Sequence, residues 1–180
     1  DKTASKTLNR ATDTTRQPGS TFKILASYSA ALDAGGLTLA SVQDDAPYTY
    51  AGANGKSVSN YDKRYRGFTT LREAITDSIN IVTVKTLAQV GVSLGWQYVQ
   101  EYGFTTVDSR DMNEALALGG ITQGVSNLEL TAAYAAIANQ GTYIKPKFYT
   151  KILDHDGNVL IDNTTPESHT VIKDTTAWLL

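Results

Sequence analysis

One stretch decides how this chain folds: Arg16-Gln17-Pro18-Gly19-Ser20-Thr21-Phe22-Lys23. Pro18-Gly19 predicts a turn, and the apolar run over residues 22–32 predicts a buried helix that ends at Gly35-Gly36. Because this run is apolar or small on nearly all sides, we expect the helix to lie in the middle of the domain. Ser20 and Lys23 are three residues apart, so their side chains should meet on one face of the first turn.

That pair of side chains has a chemical use. A serine hydroxyl becomes an effective nucleophile when a base removes its proton. A lysine amine among apolar side chains loses part of its preference for the charged form, so Lys23 can be that base. The N–H groups of the first helical turn favour negative charge beside Ser20 and would supply half of an oxyanion hole. The structural alternative is that Lys23 snorkels from an amphipathic helix, because an isolated S-x-x-K is a weak motif.

Composition and charge restrict the remaining function classes. The chain has 180 residues, of which 41% are hydrophobic and 19% charged, as is typical of a globular domain. A formal net charge of −2 argues against a nucleic-acid partner, and the absence of cysteine excludes disulfides and thiolate chemistry. His155 and His169 both lie in polar, turn-like stretches, so we expect neither a metal site nor a cofactor. No run has the length of a membrane-spanning helix.

A second polar constellation falls between two predicted helices. Thr70 and Glu73 have the spacing of a capping box, which begins a helix that runs to about residue 77. Ser78-Ile79-Asn80 follows, and a second helix over residues 81–90 ends at Gly91. Taken alone, Ser78 and Asn80 are expected to cap that second helix.

The rest of the chain predicts further helices, loops and one hairpin. Residues 93–102 predict a short helix, Ser126 and Glu129 form a second capping box before a helix to about residue 139, and Asp174 is expected to cap a last helix. Residues 36–68 predict loops with turns that include residues 52–55 and 59–62. We expect the tyrosines of this region to be half-buried anchors, or else an aromatic wall along a cleft: Tyr48, Tyr50, Tyr61 and Tyr65. One strand is predicted from three stretches: Tyr143-Ile144, Phe148-Tyr149 and Lys151-Ile152-Leu153. Asp156-Gly157 then predicts a hairpin turn, and Val159-Leu160-Ile161 predicts the return strand. Residues 164–169 predict a loop.

Several stretches together resemble one family. They are Asn9-Arg10-Ala11-Thr12, the Ser20 stretch at 16–23, and residues 71–80, 115–124, 128–141 and 151–160. In this order and spacing, over nearly the whole chain, they are similar to the transpeptidase domain of class A penicillin-binding proteins. The resemblance implies an α+β fold of the penicillin-binding-protein and serine β-lactamase type. We expect residues 1–180 to form the helix-rich part of one such domain, with an incomplete antiparallel sheet.

The resemblance also implies roles for four residues. The family's S-x-x-K motif falls on Ser20 and Lys23, and its S-x-N motif falls on Ser78 and Asn80. Ser20 would attack the D-Ala-D-Ala carbonyl of a peptidoglycan stem peptide after giving its proton to Lys23. Ser78 would relay a proton to the leaving amine, and Asn80 would hold the substrate amide and orient Lys23. The partners implied are the stem peptide, a second peptide's amine that completes the cross-link, and β-lactam antibiotics. The expected location is the extracytoplasmic face of the bacterial cell membrane.

The chain departs from this family in one important respect. It contains no K-T-G or K-S-G, the third motif, which should lie on a strand shortly after a stretch like 175–180. That strand would provide the second oxyanion N–H and the grip on the substrate carboxylate. The family's first two strands and the glycosyltransferase domain of class A proteins are missing too. We therefore predict that these residues are a fragment, inactive or nearly so alone, and that the remainder of the same protein is a partner as a separate or cleaved chain.

Two other function classes stay open at this point. A serine β-lactamase or D,D-carboxypeptidase shares S-x-x-K chemistry, but neither Glu114 nor Glu129 lies in a context typical of the deacylating glutamate of class A β-lactamases. A non-catalytic module that binds cell-wall peptide or β-lactams would have no need of a nucleophile. A purely structural helical domain would give Lys23 and Asn80 no reason to lie together.

Overall fold

The computed structural model describes residues 7–51 and 56–180. The turn predicted at 52–55 and the first six residues lie outside this range. In these described residues, five further α-helices pack around one central helix; they span Leu71–Thr76, Asn80–Val90, Val92–Glu101, Asn127–Ala138 and Asp174–Leu179. The predicted helix-rich α+β organisation is thus confirmed for the described residues.

The central helix, residues 19–33, is confirmed, but its winding is not uniform. It begins with a 3-10 turn at Gly19–Thr21, passes through a π-helical segment at Ile24–Tyr28 and ends as an α-helix at Ser29–Asp33. Within residues 22–31 every residue except Ile24 is buried, as the apolar run predicts. The π segment begins directly after Lys23, and such segments occur frequently at functional sites.

Both capping boxes form as predicted. The Thr70 hydroxyl accepts a hydrogen bond from the Glu73 N–H at 3.2 Å, and the Glu73 carboxylate accepts one from the Thr70 N–H at 2.9 Å. Ser126 and Glu129 repeat this arrangement before the Asn127–Ala138 helix. The cap predicted at Asp174 is wrong, because the last helix starts one residue earlier and its N-cap is Lys173, whose side chain makes no capping hydrogen bond to this helix. Asp174 is instead the first helical residue, where its charge complements the helix dipole.

The strands form separate antiparallel pairs rather than one broad sheet. The described residues contain five two-stranded pairs: Thr15–Arg16 with Val125–Ser126, Val42–Asp45 with Gly67–Thr70, Tyr48–Thr49 with Ser57–Val58, Thr142–Ile144 with Ser168–Thr170, and Lys151–Leu153 with Val159–Asp162. The hairpin around Asp156-Gly157 is confirmed. The continuous strand from 143 to 153 is wrong, because Phe148-Tyr149 lies outside the strands and Thr142–Ile144 pairs with part of a predicted loop instead. The loop-rich interpretation of residues 36–68 missed four short strands.

Polar side chains fasten the central helix to the Asn80–Val90 helix across the core. The Ser27 hydroxyl donates to the Thr83 carbonyl at 2.9 Å, and the Tyr28 hydroxyl lies 2.8 Å from the Thr83 hydroxyl. These groups are all buried, where an unpaired hydroxyl would be costly, so the two helices have one favoured register. That register brings Lys23, at the start of one helix, beside Asn80, at the start of the other.

We expect Thr70→Ala to destabilise the fold by about 1 kcal/mol, because it removes the oxygen that accepts from the Glu73 N–H. For a domain of this size the thermal unfolding midpoint should fall by about 2–4 °C. The matched control is Thr131→Ala at an exposed site inside the Asn127–Ala138 helix, where alanine has the higher helix propensity and the midpoint should not fall. Equal shifts for the two variants would contradict the capping role.

Candidate active site

The Lys23 amine is the centre of the site. The residue is only 3% exposed, and its Nζ donates to the Ser78 carbonyl at 2.6 Å, the Ser78 hydroxyl at 2.9 Å and the Asn80 Oδ1 at 2.6 Å. These three bonds use all the N–H groups of an ammonium. Three of the four predicted site residues are therefore in direct contact, although Ser78 and Asn80 follow Lys23 by more than fifty positions in the sequence.

Burial lowers the pKa of Lys23 to about 8 from an ordinary value of 10.5, because the charged form loses solvation. At pH 7 about one molecule in ten then carries a neutral amine, against about one in three thousand for an exposed lysine. A lowered pKa is what the sequence predicts for a lysine amine among apolar side chains.

Ser20 is exposed in the first turn of the central helix and faces an open cleft of about 640 Å³. The residues that line this cleft are Ser20, Ser59, Asn60, Tyr61, Lys63, Asp77, Ser78 and Asn80. Ser20 and Lys23 are expected to share one face of the first turn; no hydrogen bond joins their side chains in the described residues, where the amine bonds to Ser78 and Asn80. The nucleophile candidate therefore shares the cleft with Ser78 and Asn80, the partners of the amine.

Ser78 occupies an unusual backbone conformation. Its φ is +53°, in the left-handed region that side chains other than glycine rarely adopt. The Ser78 N–H bonds to the Ile75 carbonyl at 3.2 Å and the Ile79 N–H bonds to the Ala74 carbonyl at 2.9 Å, which ends the preceding helix in a tight elbow. The elbow turns both the carbonyl and the hydroxyl of Ser78 toward the Lys23 amine. Strain of this kind is found at functional sites, where the surrounding structure maintains it.

The expectation that Ser78 or Asn80 caps the second helix is wrong. The N-cap is Ile79, and the Asn60 Oδ1 accepts from the backbone N–H of Asn80 at 3.0 Å and of Ile81 at 3.2 Å. In addition, the Asn80 Nδ2 donates to the Ser59 carbonyl at 2.8 Å. Sequence reasoning predicted only a turn at residues 59–62, and no local pattern connects that turn with a helix twenty residues later.

The expectation of half-buried anchors fails for two of the four tyrosines. Tyr48 and Tyr50 are half-buried as expected, but Tyr61 is 98% exposed on the rim of the cleft and Tyr65 is exposed as well. Tyr61 thus matches the second interpretation, an aromatic side chain along a cleft, rather than a loop anchor.

A loop at 119–124 supports the turn that carries Ser20. The Gln17 side chain accepts from the Ile121 N–H at 2.9 Å and donates to the Ile121 carbonyl, so it pairs with that residue as a neighbouring strand would. A Cβ atom on Gly119 would lie only 2.6 Å from the Gly19 carbonyl oxygen. The two backbones can therefore approach this closely only because residue 119 has no side chain.

The two glutamates considered for a β-lactamase have structural roles. Glu114 accepts from the Tyr48 hydroxyl at 2.9 Å and the Ala51 N–H at 3.0 Å, and Glu129 accepts at its capping box and from Thr105. Neither is among the residues that line the Ser20 cleft. Within residues 7–51 and 56–180, no group of three or more His, Cys, Asp or Glu side chains is placed to hold a metal ion.

A serine at a helix start, a buried amine with a lowered pKa and a hydroxyl at the facing elbow are the equipment of a serine enzyme that transfers acyl groups. The family model of the penicillin binding protein transpeptidase domain matches residues 1–180. The chain belongs to this family.

Relatives and solved structures agree with that assignment. Penicillin-binding protein 1F of Bacillus subtilis is 40% identical over 174 residues, which are 97% of this chain and 23% of that protein. Penicillin-binding protein 1A of Neisseria gonorrhoeae is 39% identical over 160 residues, 86% of this chain and 19% of that protein. The crystal structure of penicillin-binding protein 1A from Haemophilus influenzae, 33% identical, superposes with a TM-score of 0.77 over 91% of this chain and 24% of that one.

More distant structures share the fold. The penicillin G acyl-enzyme of penicillin-binding protein A from Mycobacterium tuberculosis, at 22% identity, has a TM-score of 0.82 over 95% of this chain and 43% of that one. The chain thus spans about a fifth to a quarter of the length of the curated relatives described. None of the helices in its described parts combines the length and apolar character needed to cross a bilayer.

Proposed function

We propose that this chain provides the serine-and-lysine part of a D,D-transpeptidase site, which cross-links peptidoglycan stem peptides through an acyl-enzyme on Ser20. The observation that carries the proposal is the set of hydrogen bonds that joins the buried Lys23 amine to Ser78 and Asn80 around the Ser20 cleft. Membership of the transpeptidase family supports it.

The geometry suggests how the first step proceeds. When the Lys23 ammonium loses a proton, two N–H groups remain for three acceptors, so one acceptor is released and the nitrogen gains a lone pair. That lone pair takes the Ser20 proton while Oγ forms a bond to the carbonyl carbon of the penultimate D-alanine. The developing oxyanion lies near the N–H groups of the first helical turn.

The Ser78 hydroxyl acts on the leaving group, and Lys23 returns the proton to Ser20 in the second half-reaction. As the bond from the carbonyl carbon to the leaving D-alanine nitrogen breaks, the Ser78 hydroxyl donates a proton to that nitrogen and is reprotonated from Lys23. An amine of a second stem peptide then attacks the ester, the bond to Ser20 Oγ breaks, and the proton of the amine returns to Oγ through Lys23. A β-lactam follows the first half only. Its amide bond opens to acylate Ser20, and the acyl adduct that results remains on the serine instead of passing to an amine.

The proposal includes the partners and location that this chemistry needs. The donor and acceptor are stem peptides of peptidoglycan, which lies outside the bacterial cytoplasmic membrane, so the domain acts on that face. The second oxyanion N–H and the carboxylate grip come from a K-T-G strand elsewhere in the same protein, whether continuous with these residues or cleaved from them. One missing oxyanion donor costs about 2.7–4 kcal/mol of transition-state stabilisation, so these residues alone are expected to be nearly inactive.

Labelling with a fluorescent penicillin tests the proposal. The full-length protein that carries this chain should form a covalent adduct on Ser20, located by mass spectrometry, and Ser20→Ala should form none. Residues 1–180 alone should label about 10²–10³-fold more slowly, which is the kinetic equivalent of one oxyanion donor. Brisk labelling of the isolated residues would contradict the dependence on the missing strand. Rapid release of product from the full-length adduct would favour a β-lactamase instead.

A further inference from the structure

A buried pair of polar side chains, Asp45 and Asn60, lies behind the candidate site. Asp45 is fully buried and Asn60 is 3% exposed. The Asn60 Nδ2 donates to both carboxylate oxygens of Asp45, at 2.8 and 3.0 Å, and to the Arg64 carbonyl at 2.8 Å. A buried carboxylate is expensive unless its oxygens are paired, and Asn60 supplies two of the hydrogen bonds that pair those of Asp45.

The direction of the Asn60 carboxamide is fixed from both sides. Its Nδ2 needs the Asp45 carboxylate as acceptor, and its Oδ1 accepts from the backbone N–H groups of Asn80 and Ile81. If the amide were flipped, its NH₂ group would face the backbone N–H groups at the helix start, and its oxygen would face the carboxylate oxygens of Asp45. Neither arrangement can form a hydrogen bond. Removing the carboxylate therefore removes the reason for Asn60 to present its oxygen to the Asn80–Val90 helix.

Asn80 is held at two points by the segment that Asp45 anchors. Its backbone N–H bonds to the Asn60 side chain, and its side-chain Nδ2 bonds to the Ser59 carbonyl at 2.8 Å. Together these contacts leave its Oδ1 directed at the Lys23 amine, 2.6 Å away. A connected series of hydrogen bonds thus runs from Asp45 through Asn60 and Asn80 to Lys23.

Asp45 itself has a rigid support. It is the last residue of the Val42–Asp45 strand, paired with Gly67 in the neighbouring strand. Its Oδ2 accepts from the Arg66 N–H at 3.0 Å, and the Arg66 guanidinium lies 3.7 Å away. Asp45 itself is not among the residues that line the Ser20 cleft, whereas its partner Asn60 is.

We propose that Asp45 and Asn60 are positioning residues for acyl transfer, which hold Asn80 so that its Oδ1 fixes the Lys23 amine beside the Ser20 cleft. Neither residue touches the reacting atoms; both act through Asn80. The inference rests on the proposed role of Ser20 and Lys23, but the placement of Lys23 can be measured without any reaction.

The test uses Asp45→Ala in the full-length protein, with Asp44→Ala as the matched control. Asp44 is the exposed neighbour on the same strand, and its backbone carbonyl, which accepts from Lys85, is kept in the alanine variant. The maximal rate of Ser20 labelling by fluorescent penicillin should fall about 10–100-fold in Asp45→Ala, within the range known for misplaced catalytic groups. The penicillin concentration that gives half this rate reports binding separately from the maximal rate, since Asn60 and Asn80 also line the cleft. Asp44→Ala should behave as the parent does.

The pH profile separates positioning from general destabilisation. Loss of the Asn80 acceptor removes a group that favours the ammonium, so the inflection of the labelling rate should move to lower pH by about 0.5 unit or more. Asp45→Asn, which keeps one acceptor oxygen for Asn60, should recover part of both the rate and the inflection. This milder variant also provides the measurement if Asp45→Ala does not fold.

The outcomes distinguish the two proposals. If the folded Asp45 variants label at the parent rate with the parent inflection, the positioning role is wrong. If only the fraction of folded protein falls, while the rate constant of that fraction is unchanged, the role is structural and the inference fails as well. If the parent never labels at Ser20, the proposed function fails, and NMR titration of the Lys23 side chain decides the inference: a lower midpoint in Asp45→Ala supports it and an unchanged midpoint overturns it.

Discussion

Lys23→Arg is expected to slow the acylation of Ser20 by penicillin about 10²–10⁴-fold in the full-length protein, the range for loss of a general base. Arginine keeps a positive charge and several N–H donors, but its guanidinium stays protonated at any accessible pH. If Lys23 served only to fill the pocket or to balance charge, arginine would be a mild replacement. The variant therefore tests whether the neutral amine is needed.

The pH dependence of the labelling rate tests the same role of Lys23, and its direction can be predicted. Because the proton must leave Lys23 before the amine can act, and because burial lowers its pKa to about 8, the labelling rate should rise with pH and level off above about 8. Below that value it should fall about tenfold per pH unit. Lys23→Arg should lose this inflection together with the rate, while the control Lys85→Arg on the Asn80–Val90 helix should keep both. A normal rate and profile in Lys23→Arg would exclude Lys23 as the base.

Gly119→Ala is expected to be strongly destabilising. Residue 119 has a φ of +73°, which costs an alanine about 1–2 kcal/mol, and the new Cβ would lie 2.6 Å from the Gly19 oxygen and 2.7 Å from the Gly19 nitrogen. Backbone atoms cannot rotate away, so displacement of the two loops adds about 1–3 kcal/mol. Together these terms predict a loss of about 2–5 kcal/mol and a fall of about 5–15 °C in the midpoint of the domain.

The control for this prediction is Gly36→Ala. Residue 36 has a nearly identical φ of +72°, but nothing lies within 4 Å of the position that its new Cβ atom would take, so only the backbone term remains. The midpoint should fall by clearly less than in Gly119→Ala. Penicillin labelling should slow only in Gly119→Ala, because Gly19 directly precedes Ser20. Similar shifts in both variants would show that the close approach to Gly19 has no energetic importance.

Local sequence patterns predicted the parts of the site that depend on neighbours in the chain. The apolar run after Ser20, the capping box at Thr70 and Glu73 and the glycine after residue 90 each act within one or two turns. They placed Ser20 and Lys23 on a buried helix, and Ser78 and Asn80 at an elbow. The family resemblance joined these two places, which no local rule could do.

What sequence reasoning missed depends on contacts between distant residues. Asn60 caps a helix twenty positions later, and its partner Asp45 lies fifteen positions earlier, so neither bond leaves a periodic pattern. The short strands at Tyr48–Thr49 and Ser57–Val58 are too brief for alternation to be visible. The spacing of Ser20 and Lys23 could not show which acceptors the amine would choose, because Ser78 and Asn80 come from a distant part of the chain.

The left-handed backbone at Ser78 has a consequence for variants selected for heat resistance. Glycine at this position would relax the main chain and raise the melting temperature, yet it would delete the hydroxyl that faces the Lys23 amine. A screen that rewards thermal stability alone should therefore accumulate glycine here, whereas a screen for penicillin labelling of Ser20 should retain serine. The identity of this one side chain would report which of the two pressures a population had experienced.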